Sequence, residues 1–127
     1  MKKCGGFHLV WLAVLLAASP AMAANLDVCP TGCAYTSIEA AVNDAADGDV
    51  IRIAQGRYVE WDIDIDDPGK ITISGGYNPA DFSAPPSNDP SLTVIDGVGQ
   101  ESVFQVRAYE ETIGVTIENL TITGGDA

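Results

Sequence analysis

Four isoleucines, Ile53, Ile73, Ile95 and Ile117, recur 20, 22 and 22 residues apart, each inside a short run with strand character. The runs are Val50-Ile51-Arg52-Ile53, Ile71-Thr72-Ile73-Ser74, Thr93-Val94-Ile95-Asp96 and Val115-Thr116-Ile117-Glu118. A period of roughly 20 to 30 residues marks a chain built from stacked coils, because each unit is too small to bury its own apolar face. Within three residues of each isoleucine come Gly56, Gly75, Gly97 and Asn119. Glycine lacks the Cβ that clashes at positive φ and asparagine tolerates that region, so the same corner is expected once per repeat.

The runs alternate. Ile51 and Ile53 are expected inward with Arg52 outward, Ile63 and Ile65 inward with Asp62, Asp64 and Asp66 outward, and Ile71 and Ile73 inward with Thr72 outward. Period two is the signature of a half-buried strand. Further strands are expected at Val103 to Val106, Val115 to Ile117 and Leu120 to Ile122, about two per period, with no helix after residue 48. The economical solution is an all-β solenoid, a parallel β-helix in which the four isoleucines stack as one column at about 4.8 Å per coil.

Ahead of the repeats, Thr36-Ser37-Ile38-Glu39 fits a capping box, with Thr36 as the cap and Glu39 reaching back. Ile38, Ala41, Val42 and Ala45 then form one apolar stripe before Asp47-Gly48 ends the run. A short capping α-helix over the first open coil follows from that placement, since bare strand edges invite aggregation. The segment from Tyr77 to Ser91 carries Pro79, Pro85, Pro86 and Pro90 and is read as a loop insertion over 77–91.

Residues 1–23 read as a secretory signal peptide. Lys2 and Lys3 precede the apolar stretch Leu9 to Ala18, and Ala21-Met22-Ala23 supplies a small-x-small cleavage site. The apolar stretch falls short of the roughly 20 residues that span a bilayer, so no membrane span is expected in the mature chain. Cys4 lies upstream of that stretch, whereas a lipid-anchored cysteine follows it. The expected location is secreted, periplasmic or cell-surface. The remaining chain divides into a disulfide loop with the capping helix at 24–48 and coils at 49–127.

Beyond residue 23 there are four Lys and Arg against 18 Asp and Glu, a formal charge of −14. Such a surface repels phosphate backbones, which excludes nucleic acid as a partner. His8, the one histidine, belongs to the leader, so no Ser-His-Asp, Cys-His or His-ligated zinc chemistry is open to the mature chain. Cys29 and Cys33, in Cys-Pro-Thr-Gly-Cys, are expected to form a disulfide in an oxidising compartment. On chain entropy, so small a loop contributes about 2 kcal/mol.

Cys33-Ala34-Tyr35-Thr36-Ser37-Ile38-Glu39-Ala40-Ala41-Val42, followed by Gly48-Asp49-Val50-Ile51-Arg52-Ile53 and Gly56-Arg57-Tyr58, resembles the N-terminal cap and first coil of right-handed parallel β-helix proteins of the pectin-lyase-like superfamily. Ile73-Ser74-Gly75-Gly76-Tyr77, Val94-Ile95-Asp96-Gly97 and Ile117-Glu118-Asn119-Leu120-Thr121-Ile122-Thr123-Gly124-Gly125 look like its next coils. The likeness spans residues 29 to 127. It implies a fold more than an activity, because that superfamily holds lyases, hydrolases, adhesins and surface proteins without chemistry. Enzymes of that kind carry their carboxylates on middle coils, and no catalytic residue is assigned here. Gly124-Gly125-Asp126-Ala127 follows a strand with no amphipathic cap, so the solenoid is read as truncated at its C-terminus.

Three weaker features complete the reading. Asp62, Asp64 and Asp66 place carboxylates on one strand face, where calcium is the sharp alternative to a solvated surface. An EF-hand is excluded, since Asp67 stands where glycine is needed and Ile73 where the bidentate glutamate belongs. Trp61 and Tyr77, and with them Tyr58 and Tyr109, are candidates for sugar stacking. Arg107 is expected to pair with Glu110 or Glu111, and Asn119-Leu120-Thr121 fits the N-glycosylation pattern. The function expected is a non-catalytic scaffold for a polysaccharide or cell-surface ligand, with no cofactor unless calcium. The alternative is part of a polysaccharide lyase or glycoside hydrolase whose active site lies beyond residue 127.

Overall fold

A computed structural model of the chain describes residues 22–66, 68–109 and 112–126. The segment expected to be a signal peptide lies outside them as far as Ala21. The elements in chain order are β1 (Asn25–Val28), α1 (Ile38–Asp44), β2 (Val50–Ala54), β3 (Gly56–Val59), β4 (Ile63–Asp66), β5 (Lys70–Tyr77), β6 (Thr93–Gln100), β7 (Phe104–Arg107), β8 (Gly114–Glu118) and β9 (Thr121–Gly125), with a 3-10 turn (Pro90–Leu92) ahead of β6 where no helix was expected and Tyr77 in β5 rather than in the loop. The protein is mostly β, and every pairing between these strands is parallel.

Three sheets result. Their strand orders are β1-β2-β5-β8, β3-β6-β9 and β4-β7. From β2 onward the chain visits the first, second and third sheets in turn, repeats the circuit through β5, β6 and β7, and enters it again with β8 and β9. Each circuit therefore uses three strands where two were expected.

The register identifies which side chains stack. In the first sheet Leu26, Ile51, Ile73 and Ile117 are successive partners, and in the second Tyr58, Ile95 and Ile122. In the third sheet Ile63 lies on Phe104 and Ile65 on Val106. The single column expected of Ile53, Ile73, Ile95 and Ile117 does not form. Ile53 partners Val28 beside a register shift after Arg52, and Ile95 belongs to a different sheet from Ile73. The physical reason is that all three sheets turn alternate residues inward. An isoleucine spacing is satisfied equally by neighbours in one sheet or by inward positions in two. The true circuits are unequal: Ile51 to Ile73 takes 22 residues and Ile73 to Ile117 takes 44.

Inward positions are dry where a further layer lies on each side. Ile51, Ile53, Ile63, Ile65, Ile73 and Ile95 are wholly buried in one cluster with Ile38, Ala41 and Val42 of the helix. The last layer is less covered, with Ile122 at 45% and Val106 at 48% exposure. Outward Asp66 is exposed and Asp64 and Thr72 are half-buried, so the alternation of β4 and β5 runs as expected.

Helix α1 begins one residue later than the capping box placed it. Ser37, not Thr36, is the cap and accepts from the Ala40 amide, while Glu39 does not reach back. Glu60, just past β3, takes the place of that glutamate. Its carboxylate accepts from the Ile38 and Glu39 amides at 2.8 and 3.1 Å and from the Ser37 hydroxyl. A carboxylate distant in sequence but adjacent in space thus satisfies first-turn donors that local sequence had been expected to satisfy.

The glycine corners also differ. Gly56 and Asn119 do take positive φ, whereas Gly75 and Gly97 do not. Gly75 is needed for space instead. A Cβ there would meet the Asn119 carbonyl oxygen at 2.5 Å and the Thr93 and Leu120 Cβ atoms at 3.0 Å. Positive φ falls next door, on Gly76, and after Gly97 on Val98 and Gly99. Asn119 donates from its amide to the Gly75 and Ser87 carbonyls, and Thr93 accepts the Gly76 amide at 2.8 Å. These bonds tie the 78–89 loop to the corner between the first two sheets.

Candidate functional site

Strand β3 delivers Tyr58 inward and leaves Val59 outward, so the chain emerges at Glu60-Trp61 on the surface. Trp61 is 41% exposed and Val59 47%. With Pro30, Thr36, Glu39 and Arg57 they line an open groove of about 620 Å³ beside the start of α1. Pro30 belongs to the loop closed by the Cys29–Cys33 disulfide, whose Cα atoms lie 5.7 Å apart. The staple therefore shapes one wall of the groove. A partly exposed indole with apolar neighbours and a polar rim can cover the C–H face of a sugar while water stays on its hydroxyls.

The other aromatic candidates are differently placed. Tyr77 stacks on Phe82 with ring centres 5.9 Å apart, and the Arg52 guanidinium lies 5.6 Å from Tyr77 and 5.5 Å from Phe82. Arg52 is in turn held by Asp27 through Nε at 2.7 Å and Nη2 at 2.8 Å, and donates to the Phe82 carbonyl. Tyr77 is thus part of a packed clamp on the loop. Tyr58 is buried, donates to the Ala54 carbonyl at 2.8 Å, and burial pushes its phenol up to about 12. Tyr109 is 68% exposed and lies outside the groove.

The carboxylates of β4 have a cation, supplied by the protein. Arg107, at the end of β7, sits 3.2 Å from Asp64 Oδ1 and 3.2 Å from Asp66 Oδ1 and donates to Gln105 at 2.7 Å. Register explains the meeting, because Asp66 is the direct β-partner of Arg107 and Asp64 of Gln105. The close carboxylates of Asp64 and Asp66 hold the guanidinium above its ordinary value, Asp66 as a hydrogen-bond acceptor and Asp64 as an ion-pair partner. Glu110 and Glu111, the partners expected for Arg107, lie outside the described residues. Asp62 stands apart at positive φ and accepts from Gln105 at 3.3 Å. A second cleft, of about 820 Å³, runs between the end of α1 and β4 and includes Asp47, Asp64, Asp66 and Lys70. Among the described residues, no group of three or more His, Cys, Asp or Glu side chains has metal-holding geometry.

Two residues with structural weight went unassigned in the sequence. Glu60 has just been described; its signal was only that an acid follows a strand. Asp49 is the other, at 7% exposure, with Oδ1 accepting the Ala24 amide at 2.8 Å and Oδ2 the Ala46 amide at 2.9 Å.

Among the described residues no helix is long and apolar enough to cross a membrane. By class, the molecule is a predominantly β protein assembled from parallel sheets. Comparison with protein-family models, curated proteins and solved structures finds no match at all.

Proposed function

We propose that the chain forms part of a secreted or cell-surface protein, a right-handed parallel β-helix of pectin-lyase-like type, that serves as a non-catalytic scaffold and binds a neutral polysaccharide at Trp61. The ordered visits to three parallel sheets support the coiled reading, and the strong preference of parallel crossovers supplies its hand. In this reading α1, which packs against β1, β2 and β4, closes the first coil. The small-x-small site ahead of Ala24 supports export. The observation that carries binding is the groove in which Trp61 stands 41% exposed, while the rival aromatic Tyr77 is already clamped by Arg52. A charge of −14 on the chain after residue 23 favours a neutral ligand over an acidic one.

Retention on insoluble cellulose, chitin and xylan tests this. Trp61→Ala should weaken retention at least tenfold on one of them, while Tyr77→Phe leaves it unchanged. Absence of retention on every neutral polymer, or equal loss in both variants, would overturn the assignment. Release of reducing ends or unsaturated uronates, abolished by changing one aspartate, would replace the scaffold with an enzyme.

A further inference from the structure

Asp49 is the buried charged residue of the described structure, and no Lys or Arg pairs with it there; the ion pairs engage Asp27, Asp64, Asp66 and Asp96. A carboxylate out of water and without a counter-charge is costly, and buried charges are ordinarily paired. Its two oxygens instead receive two main-chain N–H groups, from Ala46 in the turn after α1 and from Ala24. Ala24 is further pinned because its carbonyl accepts the Val50 amide at 2.9 Å. Upstream the chain leaves the fold at once, with Met22 at 87% exposure.

Ala24 is also the residue that follows the small-x-small site Ala21-Met22-Ala23. We infer that Asp49 is the receiving site for the α-ammonium that removal of the leader creates on Ala24. This rests on the export reading given above. The step is a hydrolysis by a leader peptidase: water adds across the Ala23–Ala24 bond, the C–N bond breaks, Ala23 leaves with a carboxylate, and the nitrogen of Ala24 becomes an amine. At neutral pH that amine is largely protonated, since its ordinary pKa is about 7.7 to 8.0. The nitrogen already stands 2.8 Å from Asp49 Oδ1, so the single N–H of an amide is exchanged for an ammonium at an ion-pairing position. The pair would fasten the start of β1, whose register on β2 begins at Asn25 opposite Val50, to the turn behind α1. A leader-bearing chain lacks it. The fold is therefore weaker before processing than after, which suits a chain that crosses a membrane unfolded.

The experiment uses the exported protein in a Lys70→Arg background, where the α-amine is the one amine left after the leader with Lys2 and Lys3 is gone. N-terminal sequencing first reads the processing point; a start other than Ala24 overturns the site while leaving export standing, whereas a chain that keeps its leader and stays inside the cell overturns the export reading behind it. With Ala24 confirmed, urea unfolding is compared for the free and the acetylated α-amine, each with Asp49 and with Asp49→Asn. Acetylation is expected to lower the folding constant of the Asp49 protein about tenfold and to leave the Asp49→Asn protein nearly unchanged. Equal effects of acetylation in both, or none in the Asp49 protein, overturn the ion pair while leaving export standing. Should Asp49→Asn fail to fold, acetylation of the Asp49 protein alone decides, and no loss there refutes the inference.

Discussion

Truncating Ile73 to alanine probes the stacked layers directly. Ile73 is wholly buried in β5, flanked by Ile51 on one side and Ile117 on the other. The change removes three carbons. At about 0.8 kcal/mol per buried methylene the transfer loss is about 2.4 kcal/mol, and the cavity left between two fixed layers raises it to about 3–4 kcal/mol. Ile117 occupies the same inward position one layer on but is only half-buried, so Ile117→Ala should cost about 1–2 kcal/mol by the same reasoning. Thr72→Ala, on the outward side of β5, should stay within about 0.5–1 kcal/mol. For a chain of this size, 1 kcal/mol shifts Tm by about 4–8 °C, so the Ile73 variant should melt at least about 12 °C lower. Circular dichroism melts of the three variants give the order. Equal losses for Ile73→Ala and Ile117→Ala would refute the layered burial, and equal losses for Ile73→Ala and Thr72→Ala would refute the alternation.

Gly75→Ala should cost more than about 2 kcal/mol in urea unfolding, because the new methyl meets the Asn119 carbonyl and both flanking Cβ atoms are themselves held; a neutral result would show that the corner can open. Val98→Gly should raise Tm, since a β-branched residue at φ 49° with 46% exposure is strained and contributes little packing; a lower Tm would contradict this. Glu60→Ala should lose about 1–2 kcal/mol by stripping the acceptor from two helix amides, with the effect seen in hydrogen exchange at Ile38 and Glu39. The neutral phenol of Tyr58 is favoured in the folded state, where its pKa of about 12 exceeds the ordinary 10.0. Its contribution is intact below pH 10 and is lost as pH climbs from 10 towards 12. Urea midpoints at pH 8 and pH 11.5 should therefore diverge less in Tyr58→Phe than in the parent chain.

Strand positions and their faces were legible because burial imposes period two wherever it occurs, as at Ile63 and Ile65 or Ile71 and Ile73. Which strands are neighbours was not, and Ile95 shows why: its spacing from Ile73 matched a coil, but a prolyl loop intervenes and the chain has changed sheets by then. The same loss of local information explains α1. Its apolar stripe is written in sequence, whereas the acid that caps it comes from Glu60, more than 20 residues on. Gly75 and Gly97 were recognisable as constrained but not by what, since close approach and positive φ both select glycine. At the candidate site, the pairing of Cys29 with Cys33 was readable from type and position, whereas which of Tyr58, Trp61, Tyr77 and Tyr109 stays exposed was not. The engagement of Tyr77 by Arg52, and of Asp64 and Asp66 by Arg107, depended on pairings that only the folded register creates.

The unequal circuits have an engineering consequence. Ile73 and Ile117 are as well registered across 44 residues as Ile51 and Ile73 are across 22, so the excursion between layers is decoupled from the layers themselves. Doubling a flexible connection costs only about 0.6 kcal/mol of closure entropy, and the 78–89 loop leaves and re-enters the sheets at corners fixed by Asn119 and Thr93. A foreign peptide spliced between Pro79 and Pro86, with Phe82 and its partners kept, would thus be displayed on a rigid base whose melting temperature scarcely depends on the insert.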